Sequence, residues 1–398
     1  MENDYSEKNE LQTPCFVFYE DVFVQNLVNL KKALNRRFCN NVIGYSFKTN
    51  SLPRLLQLVK ENDCYAEVVS DDEYLLAEEM GFRNNCIIFN GPVKGEQIFK
   101  KAIVNGSLVN IDSTREIEWL NSMTLEKTVG IGIRVNIDLE KMLPGHTSTG
   151  ENGGRFGFSY ENGELHKAIC QLRHQPNIKI DRLHMHISNA TKSASVYQCL
   201  ARAACEIMEV EGLDISFIDF GGGFFGGGDD GAAYNRYVDA IYETLVECGH
   251  EKTGVIVEPG ASVVATSFSY LTRVTDKKKT TYGHFVLTDG TRMHIDPFFR
   301  KQTYSFNRFP HRSGNELLQV ICGFTCMEND RIMKISEPEF EIGDMIEYNI
   351  VGSYSMCFNS LFISYLPYVY SLGSDNLYRI VRIKWGVKEY IQGNRWLF

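Results

Sequence analysis

The chain has 398 residues, 43% of them hydrophobic, with a formal charge of −9 and a pI near 5.6. That is enough for one large domain with its own core plus a smaller one, and the acidic balance argues against nucleic acid or an anionic membrane surface as partner, because both would repel the protein. Eleven cysteines scattered singly without a CxxC, a polar N-terminus (MENDYSEKNE) and no apolar run long enough to span a bilayer point to a cytoplasmic protein with reduced thiols that works on small molecules.

Residues 21–37 (DVFVQNLVNLKKALNRR) carry apolar side chains at helical spacing behind Asp21 as N-cap. NVIGYSFK (41–48) follows as a strand. After it come a helix opened by Pro53, the strand YAEVVS (65–70), the helix DDEYLLAEEM and the strand CIIFN (86–90). SLVNID (107–112), GIGIRVNI (130–137), IKIDRLHMHIS (178–188), SFIDFG (216–221) and GVIVEP (254–259) continue the series, with helical segments such as 194–213 between them. Eight apolar strands alternating with helices predict a closed parallel (β/α)8 barrel of the TIM type, with a doubly wound open sheet as the alternative. From about residue 265 the pattern changes to strand-like runs without amphipathic helices: SFSYLTRVT, GHFVLTDG, LLQVICGF, DMIEYNIVG and LYRIVRIKW. This predicts a separate all-β domain, a sandwich or barrel. The expected division is 22–265 for the barrel and 266–398, with an N-terminal strand in 1–21, for the β domain. Gly226 to Gly228 with Asp229 and Asp230 reads as a local loop.

Lys48, Asn90, Asp112, Arg134 with Asn136, His186, Gly221 to Gly223 and Glu258 all fall at or just past the C-terminal end of a predicted strand, the rim on which barrels build active sites. Strand ends meet water and are often polar, so one such residue means little; the same placement on most strands means more. A lysine in an enclosed barrel mouth tends to lose its proton and act as an amine nucleophile, which suits a Schiff base with an aldehyde cofactor. Pyridoxal phosphate needs an anion site, a group at its ring nitrogen and a surface against its ring. DFGGGFFGGG (219–228) offers bare backbone N–H groups to a phosphate, Glu258 in VEPG a partner for the ring nitrogen, and His186 in HMHIS a ring to lie against the cofactor. Glycine runs are more often plain loops, and a His-x-His such as His184 and His186 is equally a buried structural pair or two-thirds of a metal site lacking an evident third ligand.

These residues resemble those of the fold type III pyridoxal-phosphate decarboxylases, a family similar to ornithine and diaminopimelate decarboxylases with an alanine racemase-like barrel, over a stretch from TPCFVFYED (13–21) to GSYSMCFNS (352–360). The resemblance implies that Lys48 in YSFKTN forms the Schiff base with the cofactor pyridoxal 5′-phosphate and that His186 stacks on its ring. It also implies that Gly221, Gly222 and Gly223 hold the phosphate, that Glu258 pairs with the ring nitrogen and that Tyr354 in GSYS reaches the phosphate. Cys326 in GFTCMEND resembles the cysteine that enters from the second subunit of a homodimer and supplies a proton after carbon dioxide leaves. Glu328, Asp289 in LTDG and Arg134 in IRVN are the implied substrate contacts, with Arg292, His294, Asp296 and Pro297 near the specificity region.

Three positions depart from the pattern. Ala261 stands in EPGA where the family has an arginine, Asn189 in HISN where a serine would meet the phosphate, and Met327 directly after Cys326 where an acidic residue is usual, Glu328 following one later. The KTN and TCMEND variants resemble branches acting on modified amino acids, as in siderophore or antibiotic assembly. The implied reaction is decarboxylation of an amino acid or amino-acid-derived substrate. A racemase or epimerase on the same scaffold, a non-catalytic cofactor-binding relative and a cofactor-free barrel are the alternatives, and Glu258 at the ring nitrogen weighs against the racemase, which uses an arginine there.

Overall fold

The structure is a computed structural model that describes residues 8–228 and 231–396. Asp229, Asp230 and the first seven residues of the expected N-terminal strand segment lie outside the described residues. The chain divides into two compact units, one formed by Val24–Val263 and the other by the residues up to Phe23 together with those from Val264 on.

The first strand, β1 (Cys15–Tyr19), belongs to the second unit. The barrel unit holds β2 (Asn41–Ser46), β3 (Tyr65–Val68), β4 (Ile87–Phe89), β5 (Leu108–Ile111), β6 (Val129–Asn136), the two-residue β7 (Phe158–Ser159), β8 (Ile178–His184), β9 (Phe217–Asp219) and β10 (Gly254–Val257). Apart from β7, which adds to the side of β6, these strands form a closed ring of eight: each pairs in parallel with the next, and β10 returns to β2 through Val255 opposite Asn41. Closure explains why the runs are so uniformly apolar, since every strand is covered on both faces. Gly44 in β2 has a packing reason, because a Cβ there would lie 2.6 Å from Ile88 Cδ1.

Helix boundaries follow local chemistry. Pro53 occupies the first turn of the helix Pro53–Glu61, where its missing N–H costs nothing. Ser70 caps Asp71–Glu79 by accepting the Glu73 N–H, while the Glu73 carboxylate turns back onto the Val69 N–H at 2.8 Å. Asp21 is not a cap: the helix runs Glu20–Asn35, so Asp21 lies in its first turn, where an acidic side chain suits the helix dipole. The expected strands at 41–48 and 178–188 also end early. Lys48 lies in a 3-10 turn, Phe47–Thr49, after β2 has ended at Ser46, and His186 lies two residues past the end of β8.

Among the described residues the β unit forms a nine-stranded sheet. It continues with β11 (Phe268–Thr280), β12 (Gly283–Thr288), β13 (Phe306–Phe309), β14 (Glu316–Cys322), β15 (Arg331–Pro338), β16 (Met345–Asn349), β17 (Tyr368–Leu372) and β18 (Tyr378–Arg382). The order is β15-β14-β12-β11-β1-β17-β18, with β16 joining β11 to β13. β1 sits between β11, antiparallel, and β17, parallel, and its Cys15 and Val17 enter a core with Leu11, Leu271, Phe309, Met345 and Tyr370. Among the described residues no helix is long and apolar enough to cross a membrane.

Candidate active site

The barrel strands continue to exchange backbone hydrogen bonds beyond their ends, which fixes the rim loops. Ser46 N–H donates to Pro259 O (3.1 Å), Asn90 N–H to Val68 O (2.8 Å), Met185 N–H to Asp219 O (2.7 Å) and Glu258 N–H to Gly221 O (2.8 Å). On this frame polar side chains converge in one connected network. Glu67, buried in β3, accepts from Ser46 Oγ at 2.6 Å and Asn90 Nδ2 at 2.9 Å, and its Oε2 lies 3.5 Å from Lys48 Nζ. Asn90 Nδ2 also donates to Glu258 Oε1 at 2.5 Å, and Asn110 Nδ2 donates to Asn90 Oδ1 at 2.7 Å. Lys48 and Glu258, 210 positions apart in the chain, are thereby joined through two intermediates.

The surroundings of Lys48 differ from the sequence expectation. Its side chain is 42% exposed, rather than enclosed, and lies 3.5 Å from the Glu67 carboxylate.

Glu258, by contrast, is deeply buried. Burial pushes its carboxyl up, but the His184 imidazole and a hydrogen bond from Asp219 outweigh this and hold it below the usual carboxylate range. Asp219 moves the opposite way: burial and the neighbouring Glu258 charge raise it well above that range. A proton on Asp219 lets its otherwise partnerless Oδ2 donate to Glu258, so one carboxyl is neutral and the other ionised. The His184 Nε2 to Glu258 Oε2 distance of 3.7 Å is too long for a hydrogen bond, and both His184 ring nitrogens are buried without a partner. His184, Asp219 and Glu258 each bring one ligand-capable atom within 4.8 Å of the others, a cluster that takes in His184 of the His-x-His pair and not His186.

His186 lies nearly parallel to His184, with ring centroids 6.2 Å apart and 17° between planes. Burial, with Arg134 and Lys48 nearby, lowers its pKa to about 3, so the ring is neutral. Gly222 N–H donates to its Nδ1 at 3.2 Å, which places the ring proton on Nε2. The glycines beside it are required sterically. Gly221 has φ +64° and a Cβ there would fall 2.2 Å from His186 Nδ1, while a Cβ on Gly222 would fall 2.5 Å from Glu258 O. Tyr197 Oη donates to Gly222 O at 2.7 Å, and Gly221 N–H to Asp219 Oδ1 at 2.9 Å, so the loop is held from both sides.

The other expected residues have defined places. Arg134 Nη1 donates to Asp112 Oδ2 at 3.1 Å and its guanidinium lies 4.7 Å over the Phe156 ring, so its charge is already matched. The Asn189 amide is used inside its own loop, bonded to Ser193 O (3.0 Å) and to Ser193 N–H (3.3 Å), where it organises the turn before the helix Ala194–Glu211. Ala261 begins a four-residue helix, Ala261–Val264. Asp289, Cys326, Glu328 and Tyr354 belong to the β unit. Asp289 spends both carboxylate oxygens there, on Thr13 Oγ1 at 2.6 Å and Arg273 N–H at 2.7 Å. Cys326 is exposed, Glu328 is fully exposed with Arg331 3.8 Å away, and Tyr354 adopts φ +59° beside Phe358.

A ligand that combines a phosphate, a basic ring nitrogen and an aldehyde fits the barrel's donor set. The glycine turn, whose Gly221 and Gly222 N–H groups are held by Asp219 and His186, turns the Gly223 N–H to the rim, a buried carboxylate held below its usual range sits there for a cation, and a lysine amine shares the rim with both.

Comparison with known proteins agrees. Residues 23–265 match the sequence profile of the pyridoxal-dependent decarboxylase pyridoxal-binding domain. The chain is 25% identical to the diaminopimelate decarboxylase of Archaeoglobus fulgidus, over 97% of this chain and 94% of that protein, and 26% identical to that of Campylobacter jejuni, over 90% of each. The crystal structure of diaminopimelate decarboxylase from M. jannaschii in complex with L-lysine superposes with a TM-score of 0.89 at 21% identity, covering 99% of this chain and 94% of that one.

Proposed function

The chain belongs to the pyridoxal-dependent decarboxylases of fold type III, and from that premise we propose that its barrel rim removes the α-carboxylate of an amino acid, with Lys48, His186, Gly221 to Gly223 and Glu258 as the cofactor's partners. The single observation that carries the choice of reaction is the ionised, buried Glu258. A carboxylate is the group that keeps a pyridine nitrogen protonated, and a protonated ring is the strong electron sink that loss of carbon dioxide demands. Bound there, pyridoxal phosphate supplies that sink.

The chain's own residues do the rest. Lys48 provides the amine that holds the cofactor, and the Glu67 carboxylate orients it. The His186 ring, neutral and fixed by Gly222 N–H, offers a flat uncharged face. With Gly221 N–H held by Asp219 and Gly222 N–H by His186, the turn they fix offers the Gly223 N–H, and the start of the Ala261–Val264 segment offers its first N–H groups, for the phosphate in place of an arginine. The Cys326 thiol gives its proton to the α-carbon once the carboxylate has departed; its S–H bond breaks as the C–H bond forms, and solvent restores the thiol.

The same reading includes a homodimer in which Cys326 of one protomer serves the barrel of its partner. What supports it is the segment around Tyr354. Tyr354, Phe358, Leu361, Phe362 and Ile363 are exposed apolar side chains within ten residues, while Ser353 Oγ, Ser355 Oγ and both amide atoms of Asn359 are buried without partners. An apolar stretch of this kind beside unsatisfied polar atoms is characteristic of a surface that another chain covers. The relatives named above act, by name, on diaminopimelate, so that amino acid heads the substrate panel, followed by lysine, ornithine and arginine. The test is carbon dioxide release from each by the cofactor-loaded protein, with Glu258→Gln alongside. Release that falls at least about a hundredfold in Glu258→Gln supports the reading; no release from any amino acid, or full activity in the variant, contradicts it.

A further inference from the structure

The loop 323–330 joins β14 to β15 and carries Cys326 near its tip, exposed. A hairpin loop of that length is ordinarily among the looser parts of a sheet, yet this one is tied down from within. Its last residue, Asp330, is 2% exposed. The carboxylate accepts from Thr291 Oγ1 (3.0 Å to each oxygen), Arg292 N–H (2.8 Å), Thr325 N–H (3.2 Å) and Thr325 Oγ1 (2.6 Å). Its backbone closes the same loop: Gly323 N–H donates to Asp330 O at 2.9 Å and Asp330 N–H to Met327 O at 3.0 Å. Gly323 leaves the room this needs, because a Cβ there would lie 2.2 Å from Asp330 Oδ2.

The far end of the staple is equally firm. Thr291 and Arg292 lead the turn Arg292–His294, which is anchored by Arg292 Nη2 on Asp296 Oδ2 (2.9 Å) and by His294 Nδ1 against Tyr270 Oη (2.8 Å), both deep in the β unit. A second strap runs beside it, from Phe324 N–H to Gly290 O at 2.9 Å.

We propose that Asp330 is a positioning residue for the decarboxylation, holding residues 323–327 so that the Cys326 thiol is presented in one orientation; this rests on the reading of Cys326 as proton donor. Thr325, the residue directly before Cys326, is bound to Asp330 through both its N–H and its hydroxyl, so the direction in which the chain enters Cys326 is set by this carboxylate. No neutral side chain of the same size can replace it, because four donors converge on two oxygens and an amide NH2 would confront some of them with another donor. Proton delivery demands placement within hydrogen-bond reach of the accepting atom, and a displacement of about 1 Å costs on the order of a hundredfold in rate.

The experiment compares Asp330→Asn, Thr325→Val, Cys326→Ala and the double variant Cys326→Ala/Asp330→Asn, with the amino acid of the panel that releases carbon dioxide fastest. Thr325→Val removes only the hydroxyl arm and guards against a folding failure in Asp330→Asn. The expected result is a kcat lowered about tenfold or more in Asp330→Asn and Thr325→Val, with KM and cofactor affinity within about twofold of wild type. Adding Asp330→Asn to Cys326→Ala causes no further loss. Wild-type kcat in both loop variants, or the same fractional loss with and without the cysteine, overturns the positioning role while leaving the proton donor intact. Wild-type turnover in Cys326→Ala, or no turnover by the wild type on any amino acid, overturns the reading on which it rests.

Discussion

Gly221→Ala separates a cofactor cradle from an ordinary glycine turn, because a second glycine supplies the control. Gly221 (φ +64°) and Gly212 (φ +57°) adopt the same left-handed backbone, but an added Cβ meets nothing within 4 Å at Gly212 and lies 2.2 Å from His186 Nδ1 at Gly221. Gly212→Ala should therefore cost only the backbone term, about 1–2 kcal/mol. Gly221→Ala adds displacement of the His186 ring and loss of the Gly222 N–H bond to it, worth about 1 kcal/mol more. At roughly 2–4 °C of Tm per kcal/mol for a unit of this size, the control should melt a few degrees low and Gly221→Ala several degrees lower still. The decisive reading is cofactor affinity, measured by absorbance titration with pyridoxal phosphate: unchanged in Gly212→Ala and weakened at least about tenfold, or 1.4 kcal/mol, in Gly221→Ala. Equal affinities and equal Tm values in the two variants would refute the assignment of this loop to the cofactor.

Other consequences concern charge. The Lys94 ammonium is wholly buried on Glu116 (3.0 Å), Gly91 O (3.0 Å) and Asn110 O (3.0 Å), so Lys94→Met should destabilise the barrel by about 3–5 kcal/mol, and Lys94→Met/Glu116→Leu should recover most of that, as read by chemical denaturation. Burial lowers both His186 and His294 to about 3, below their unfolded value of about 6.5. The unfolded chain therefore takes up protons first, and stability is lost as pH falls from about 6.5 towards 3. His294→Gln, which keeps a partner for Tyr270 Oη, should flatten the fall of Tm between pH 6.5 and 4; an unchanged slope contradicts this. For the dimer, light scattering should give twice the mass of the chain, and Phe362→Glu should shift it towards the monomer.

The barrel was legible because closure imposes a simple demand: eight strands covered on both faces must be apolar, and the helices between them must be amphipathic. What sequence missed were polar residues inside the strands. Glu67, Asn110 and Asp219 sit in β3, β5 and β9, where runs such as YAEV and FIDF read as plain core, yet each bonds within the rim network. The signal that could have found them is the residue type itself, since a carboxylate or carboxamide in a buried parallel strand must have partners. Lys48 was located within one turn, but its exposure and its pairing with Glu67 depend on which rim residues face each other, and spacing does not report that. In the β unit, β13, β15 and β17 went unread because FNRF, RIMKISEP and YVYSL are short or mixed in polarity, and the partners of Asp289, Thr13 in the loop before β1 and Arg273 in the paired strand β11, are not visible from the LTDG stretch alone.

The most direct test of the central claim is borohydride reduction of the protein mixed with pyridoxal phosphate, followed by peptide mass mapping, on wild type and Lys48→Ala. The account expects the reduced cofactor on the peptide containing Lys48 and no fixed cofactor in the variant. Attachment to other lysines at equal yield in both proteins, or none in either, would contradict the assignment of Lys48 as the residue that holds the cofactor.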